Sequence, residues 1–133
     1  MSRQVSRQVQ WMRIVLPDLP PSKAYPNRKT HYHALSKIRN QQKEEVIAYV
    51  LEQGKPDYPF NRAHITITWR SKDKRDRDID NLLSAMKGTI DGLTHAGVIV
   101  DDSAKHLSYT LYYDWGDNVK ESETILDIQE VMI

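Results

Sequence analysis

The sequence predicts a single small domain of the α/β (α+β) class, in which a mixed β-sheet packs against two main helices. Three observations carry this reading. The chain has 133 residues, enough for one hydrophobic core and too few for two ordinary domains. Residues 63–69 alternate, with Ile65, Ile67 and Trp69 on one side and His64, Thr66 and Thr68 on the other, as in a strand covered on one face. Residues 36–53 are rich in helix formers and set Ile38, Val46, Ile47, Val50 and Leu51 along an apolar stripe.

Taken in order, residues 1–11 repeat Ser-Arg-Gln-Val without apolar periodicity and read as an arm preceding the packed domain, 12–133. A first strand follows at 13–16. Pro17, Pro20 and Pro21 then hold the chain extended as a loop. His31 and His33 stand in a polar turn ahead of the first helix, which Gly54 and Pro56 stop. After the strand at 63–69, residues 80–96 read as a second helix, with Asp80 or Asn81 as its cap and Gly97 ending it in the left-handed conformation. Residues 98–100 make a short β segment. The β-branched and aromatic stretches 106–114 and 123–131, flanking a polar segment with Gly116, read as a β-hairpin. The expected order is β, α, β, α, β, β.

Composition narrows the chemistry. The absence of cysteine excludes disulfides, zinc thiolate sites and cysteine nucleophiles, and leaves carboxylates, histidines and lysines. It also fits a reducing, cytoplasmic setting. No apolar run approaches the roughly 20 residues that a membrane-spanning helix needs. The net charge is only +1, yet Arg70, Lys72, Lys74, Arg75 and Arg77 fall within eight positions, whereas beyond Asp101 only Lys105 and Lys120 are basic. Such a cluster is either a solvated turn or a contact for DNA phosphates, where neutralising charge releases counterions.

Next to that cluster comes Arg77-Asp-Ile-Asp-Asn81. If Asp78 and Ile79 are extended, Asp78 and Asp80 point to the same side. At about 100° per residue, a helix over 80–96 brings Asp80, Ser84, Lys87 and Asp91 into one narrow polar stripe and leaves Leu82, Leu83, Met86, Ile90 and Leu93 to be buried. Asp101 and Asp102 add two more carboxylates. Carboxylates held together either raise their pKa or bind a hard cation, and Mg²⁺ accepts a few carboxylates, keeps waters and is completed by substrate phosphate. Lys87 can add positive charge where it develops on a reacting phosphate. Singly these residues have ordinary roles as caps, i,i+4 pairs and a turn. Their conjunction beside the basic run points to metal-dependent phosphodiester chemistry. The tryptophans and Tyr109, Tyr112 and Tyr113 read as packing residues first and base-stacking residues second.

Asp78-Ile-Asp-Asn81, Lys87, Asp91-Gly-Leu93, Ala96-Gly-Val98 and Asp101-Asp102, placed behind a basic run, resemble the RusA family of crossover junction endodeoxyribonucleases. The Pro20-Pro-Ser22 loop resembles that family's N-terminal signature. The resemblance implies a RusA-like fold and a cytoplasmic homodimer of bacterial or phage origin. That dimer binds four-way DNA junctions and resolves them by paired symmetric nicks with Mg²⁺ or Mn²⁺. It places metal-binding aspartates at Asp78, Asp80 and Asp102 with Asp101 assisting, and the catalytic lysine at Lys87. Two positions depart from the family pattern. Ser84 occupies the place of its usual lysine, one turn before Lys87, and Asn27 stands in for the asparagine that follows the proline loop. Cleavage of flaps or forks, and non-catalytic DNA binding, are the alternative readings.

Overall fold

The computed structural model describes residues 9–132 apart from Asn27 and Thr30; the first eight residues of the arm and the stand-in Asn27 lie outside the described residues. The elements are β1 (Trp11–Pro17), a 3₁₀ turn (Ser22–Ala24), α1 (Tyr32–Gln53), β2 (Ala63–Ser71), α2 (Ile79–Ser84), α3 (Lys87–His95), β3 (Leu107–Trp115) and β4 (Glu123–Glu130). One four-stranded sheet runs in the order β1, β4, β2, β3, with β2 and β3 parallel and the other pairs antiparallel. Helices and a mixed sheet enclose one core, as the α+β reading expects.

Period-two alternation decides which face is covered. Met12, Ile14, Leu16, Ile65, Ile67, Trp69, Leu126 and Ile128 pack on one side of the sheet against Val46 and Val50 of α1 and Leu82, Met86, Ile90 and Leu93 of α2 and α3. Trp11, Arg13, His64, Thr66 and Asp127 point to the opposite face, where Trp11 is 69% exposed. Arg13 Nε donates to Asp127 Oδ1 across that face at 2.7 Å.

Three expectations are corrected. The stretches 106–114 and 123–131 are both strands, but they form no hairpin, because β2 lies between them. Local alternation specifies strands without specifying their neighbours. Residues 116–122 instead cross the end of β2, where Gly116 N–H donates to Ser71 O and Lys72 N–H to the Ser122 hydroxyl. A parallel β2–β3 pair requires a crossover, and residues 72–106 supply it, so the motif stretch is the crossover itself.

The helix expected over 80–96 is broken at Ala85 and Met86 into α2 and α3. Both residues favour helix locally, so the cause is tertiary. The nearly buried Gln42 side chain of α1 donates from Nε2 to Ala85 O at 2.7 Å and accepts from Gly88 N–H at 3.2 Å, replacing backbone partners lost at the break. Gly88 and Gly92 bring the helices together at this level. A Cβ at Gly88 would collide with the carbonyl oxygen of Arg39, and one at Gly92 would come within 3.0 Å of Lys43 O. Gly97 ends the crossover helix with φ 80°, as its position predicts.

Helix α1 begins at Tyr32 rather than near Ser36. His31 is its N-cap, accepting at Nδ1 from His33 N–H at 3.3 Å, and His33 lies in the first turn with its ring stacked on that of His31. Of the short segment at 98–100, only Ile99 makes a β bridge, parallel to Phe60. No helix among the described residues is long and apolar enough to cross a membrane.

Candidate active-site cleft

The predicted site residues part between two cavities: Lys87 and Asp102 line one, Asp78, Lys72, Arg75 and Arg77 the other, and Asp80, Asp101, Arg70 and Lys74 line neither. Asp78 is the N-cap of α2 in extended conformation, with no hydrogen bond from its side chain, and Ile79 is already helical. The strand-like convergence of Asp78 with Asp80 therefore does not occur, and neither Asp80 nor Asn81 is the cap. Asp80 lies in the exposed first turn of α2. Ser84 follows one turn later on the same side of the helix.

Ser84 opens onto a cleft of about 390 Å³, lined also by Arg39, Leu83, Lys87, Ile90, Asp102 and Tyr109. Lys87 is the first residue of α3, whose first turn has no acidic residue, so it sits where the helix dipole disfavours a cation. Ile90 rather than Asp91 continues the cleft wall. Asp102 lines the same cleft. Its turn is fixed at one end by Phe60, which exchanges backbone hydrogen bonds with Val98 and Val100, and at the other by His106, whose Nδ1 meets Asn61 O at 2.6 Å. Asp101 serves the turn: its Oδ1 accepts from Asp102 N–H at 2.9 Å. Burial, and then the charge of Asp102, pushes the half-buried Tyr109 phenol up from its ordinary pKa, so its hydroxyl remains a donor at neutral pH.

Asp78 lines the other cavity, about 520 Å³, between the proline loop and the basic loop. Arg28, Lys72, Arg75 and Arg77 face Asp18, Asp73, Asp76 and Asp78 there, so its formal charges balance. The proline loop is anchored by Asp18, a non-glycine residue at φ 65°, whose N–H donates to Ser122 O and whose carbonyl accepts from the Thr124 hydroxyl.

The basic loop is less free than its charge suggests. Arg77 makes a two-pronged pair with Asp73 at 3.0 and 3.1 Å and also donates to Ser71 Oγ and to the Tyr113 hydroxyl. This guanidinium, followed by Arg75 N–H, holds the Asp73 carboxyl well below the usual carboxylate range, and Arg77 is raised in turn by Asp73. Arg77 is thus a brace for the loop. Arg70 sits between Asp114 at 3.4 Å and Glu123 at 3.1 Å. Lys74 makes only an exposed 3.6 Å pair with Asp117, which water screens strongly. Of the five cations expected to meet DNA, Lys72 and Arg75 have no side-chain partner among the described residues.

Among the described residues, no three His, Asp or Glu side chains are gathered into a metal-holding group. Asp78, Asp80, Asp101 and Asp102 do not form one cage: Asp78 lines the groove beside the basic loop and Asp102 the cleft that holds Lys87. What is present is oxygen chemistry in an open setting. Asp78, Asp80 and Asp102 are exposed, and their carboxylates have no hydrogen-bond partner among the described residues. That donor set suits a hard cation that keeps waters and needs only one or two carboxylates. The sequence reading missed Arg39, and it named Tyr109 only as a packing or base-stacking residue. The two glycines four residues apart, Gly88 and Gly92, were the available sign that a second helix would press against this segment.

No protein-family model matches the chain, and no relative is found among curated proteins.

Proposed function

We propose that the chain is a metal-dependent DNA endonuclease acting on branched DNA through the cleft between α1, the α2–α3 junction and the 101–102 turn. Resolution of four-way junctions by paired nicks is the particular activity. The observation that carries the reading is that Lys87 and Asp102 line one open cleft, with Asp80 on α2 one helical turn before Ser84. The RusA resemblance puts its catalytic lysine and two of its metal aspartates at these same positions.

Asp80 and Asp102 are the residues that would hold Mg²⁺ or Mn²⁺, which when bound supplies an activated water and charge neutralisation at phosphate. Lys87 shares the cleft with Asp102 and would offset charge that builds on non-bridging oxygens. Tyr109, kept protonated, presents a hydroxyl donor on the same wall. Lys72 and Arg75, with Lys74 beside them, draw the phosphate backbone towards α2, while Arg77 keeps the loop that carries them in shape. A two-fold homodimer would present two such clefts, as two symmetric nicks require.

The test compares Mg²⁺-supported cleavage of a synthetic four-way junction, a flap, a fork and linear duplex by the purified protein. The expected result is symmetric nicking of the junction at a rate at least about tenfold above the other substrates, a difference of roughly 1.4 kcal/mol in barrier. Faster cutting of the flap or fork would move the activity to other branched DNA. Cutting of none would leave a DNA-binding module.

A further inference from the structure

We infer that Arg39 of α1 is a second phosphate-binding cation of this cleft, gripping the phosphodiester beside Lys87. The inference rests on the nuclease reading for the identity of the ligand, but its observations are separate. Arg39 lines the cleft from the helix opposite Lys87, is half-buried, and makes no side-chain ion pair or hydrogen bond among the described residues; the same is true of Lys87. Two unpaired cations therefore share a cleft whose one acidic lining residue is Asp102, giving a formal charge of +1. The neighbouring groove sets four cations against four aspartates and so carries no formal net charge.

The proximity is built by the fold. Gly88 has no Cβ, and its α-carbon faces the Arg39 backbone so closely that any side chain would strike the Arg39 carbonyl oxygen and α-carbon. Lys87 is the next residue, so the contact that admits α1 also fixes Arg39 beside Lys87. Gln42, one turn further along α1, locks the register through its bonds to Ala85 O and Gly88 N–H. Holding like charges together is unfavourable unless an anion lies between them. A phosphodiester suits the pair. It has two non-bridging oxygens, to which a planar guanidinium can donate in a fork while an ammonium acts as a point charge. Half-burial of Arg39 also restricts the side chain before binding, which reduces the entropy lost when it closes on the ligand.

The experiment uses full-length Arg39→Ala and Arg39→Lys, with Arg13→Ala as a control on the opposite sheet face, where Arg13 is paired with Asp127. Binding to a synthetic four-way junction is measured against salt concentration without divalent cations, and cleavage is then followed with Mg²⁺. In Arg39→Ala the salt slope is expected to fall by about one, the signature of one lost phosphate contact, and cleavage to fall by about 10²-fold. Arg39→Lys should restore the slope but not the full rate, because it returns charge without the fork; Arg13→Ala should leave both unchanged. If the wild-type protein cuts nothing while Arg39→Ala still lowers the slope, the phosphate contact stands and the nuclease reading fails. If the wild-type protein cuts the junction and Arg39→Ala changes neither quantity, the inference on Arg39 is wrong and the nuclease reading stands.

Discussion

Asp102→Asn is expected to reduce Mg²⁺-supported cleavage of a four-way junction by about 10³-fold or more while leaving fold and junction binding essentially intact. The substitution is nearly isosteric and removes one negative charge. Asp102 is exposed in a turn held by the backbone of Phe60 and His106 and by the Asp101 carboxylate rather than by its own, so little stability depends on that charge. The carboxylate is instead the one acidic group facing Lys87 in the cleft. Taking it away leaves a net positive cleft that still attracts phosphate but lacks the hard oxygen donor a cation needs. Junction binding without divalent cations should therefore stay the same or tighten slightly as the rate collapses. Single-turnover cleavage and a binding titration on the same preparation separate the two effects. Cleavage within about twofold of wild type would remove Asp102 from the site.

The second large effect is on stability. Gly88→Ala is expected to cost about 3 kcal/mol, at the upper end of what overpacking causes, because the added methyl would meet backbone that cannot swing aside. The Arg39 α-carbon lies 2.7 Å from the ideal Cβ position, as does Gln42 Oε1. Relief would require α1 to move away from α3, breaking both Gln42 hydrogen bonds at the helix break. Gly54→Ala is the useful contrast: nothing lies within 4 Å of its added methyl, and the only cost is its φ of 99°, about 1 kcal/mol. Urea unfolding of both variants checks the difference. Equal stabilities would show that α1 and α3 do not pack at the level of Gly88.

Strands and helices were legible in the sequence where a residue's neighbours along the chain decide its state. Alternation through Ile65, Ile67 and Trp69 gives β2, and helix formers closed by Gly54 give most of α1. The errors arise where distant residues decide. The stretch around Gly116 resembles a hairpin turn, yet the hydrogen bonds of Gly116 to Ser71 and of Ser122 to Lys72 carry it across the end of β2. Ala85 and Met86 favour helix, and it is Gln42, more than forty residues earlier, that stabilises the break between α2 and α3. Of the expected polar stripe, Ser84 and Lys87 line the cleft, while Ile90 rather than Asp91 continues its wall.

The charged residues follow the same rule. Motif spacing brings Lys87 and Asp102 onto one segment, and the fold sets them across one cleft. Spacing cannot reveal that Arg77 is committed to Asp73 or that Asp78 faces a different cavity, because both depend on the path of the loop after β2. Arg39 carries no local signal at all. It reaches the cleft only because glycine at 88 lets another helix approach.

The most direct measurement is anomalous diffraction from a crystal of the protein soaked in Mn²⁺. The account predicts a manganese peak in the cleft between Lys87 and Asp102, coordinated by the carboxylates of Asp80 and Asp102. A well-diffracting, soaked crystal with no peak there, or with manganese held by the Asp78 groove alone, would contradict it.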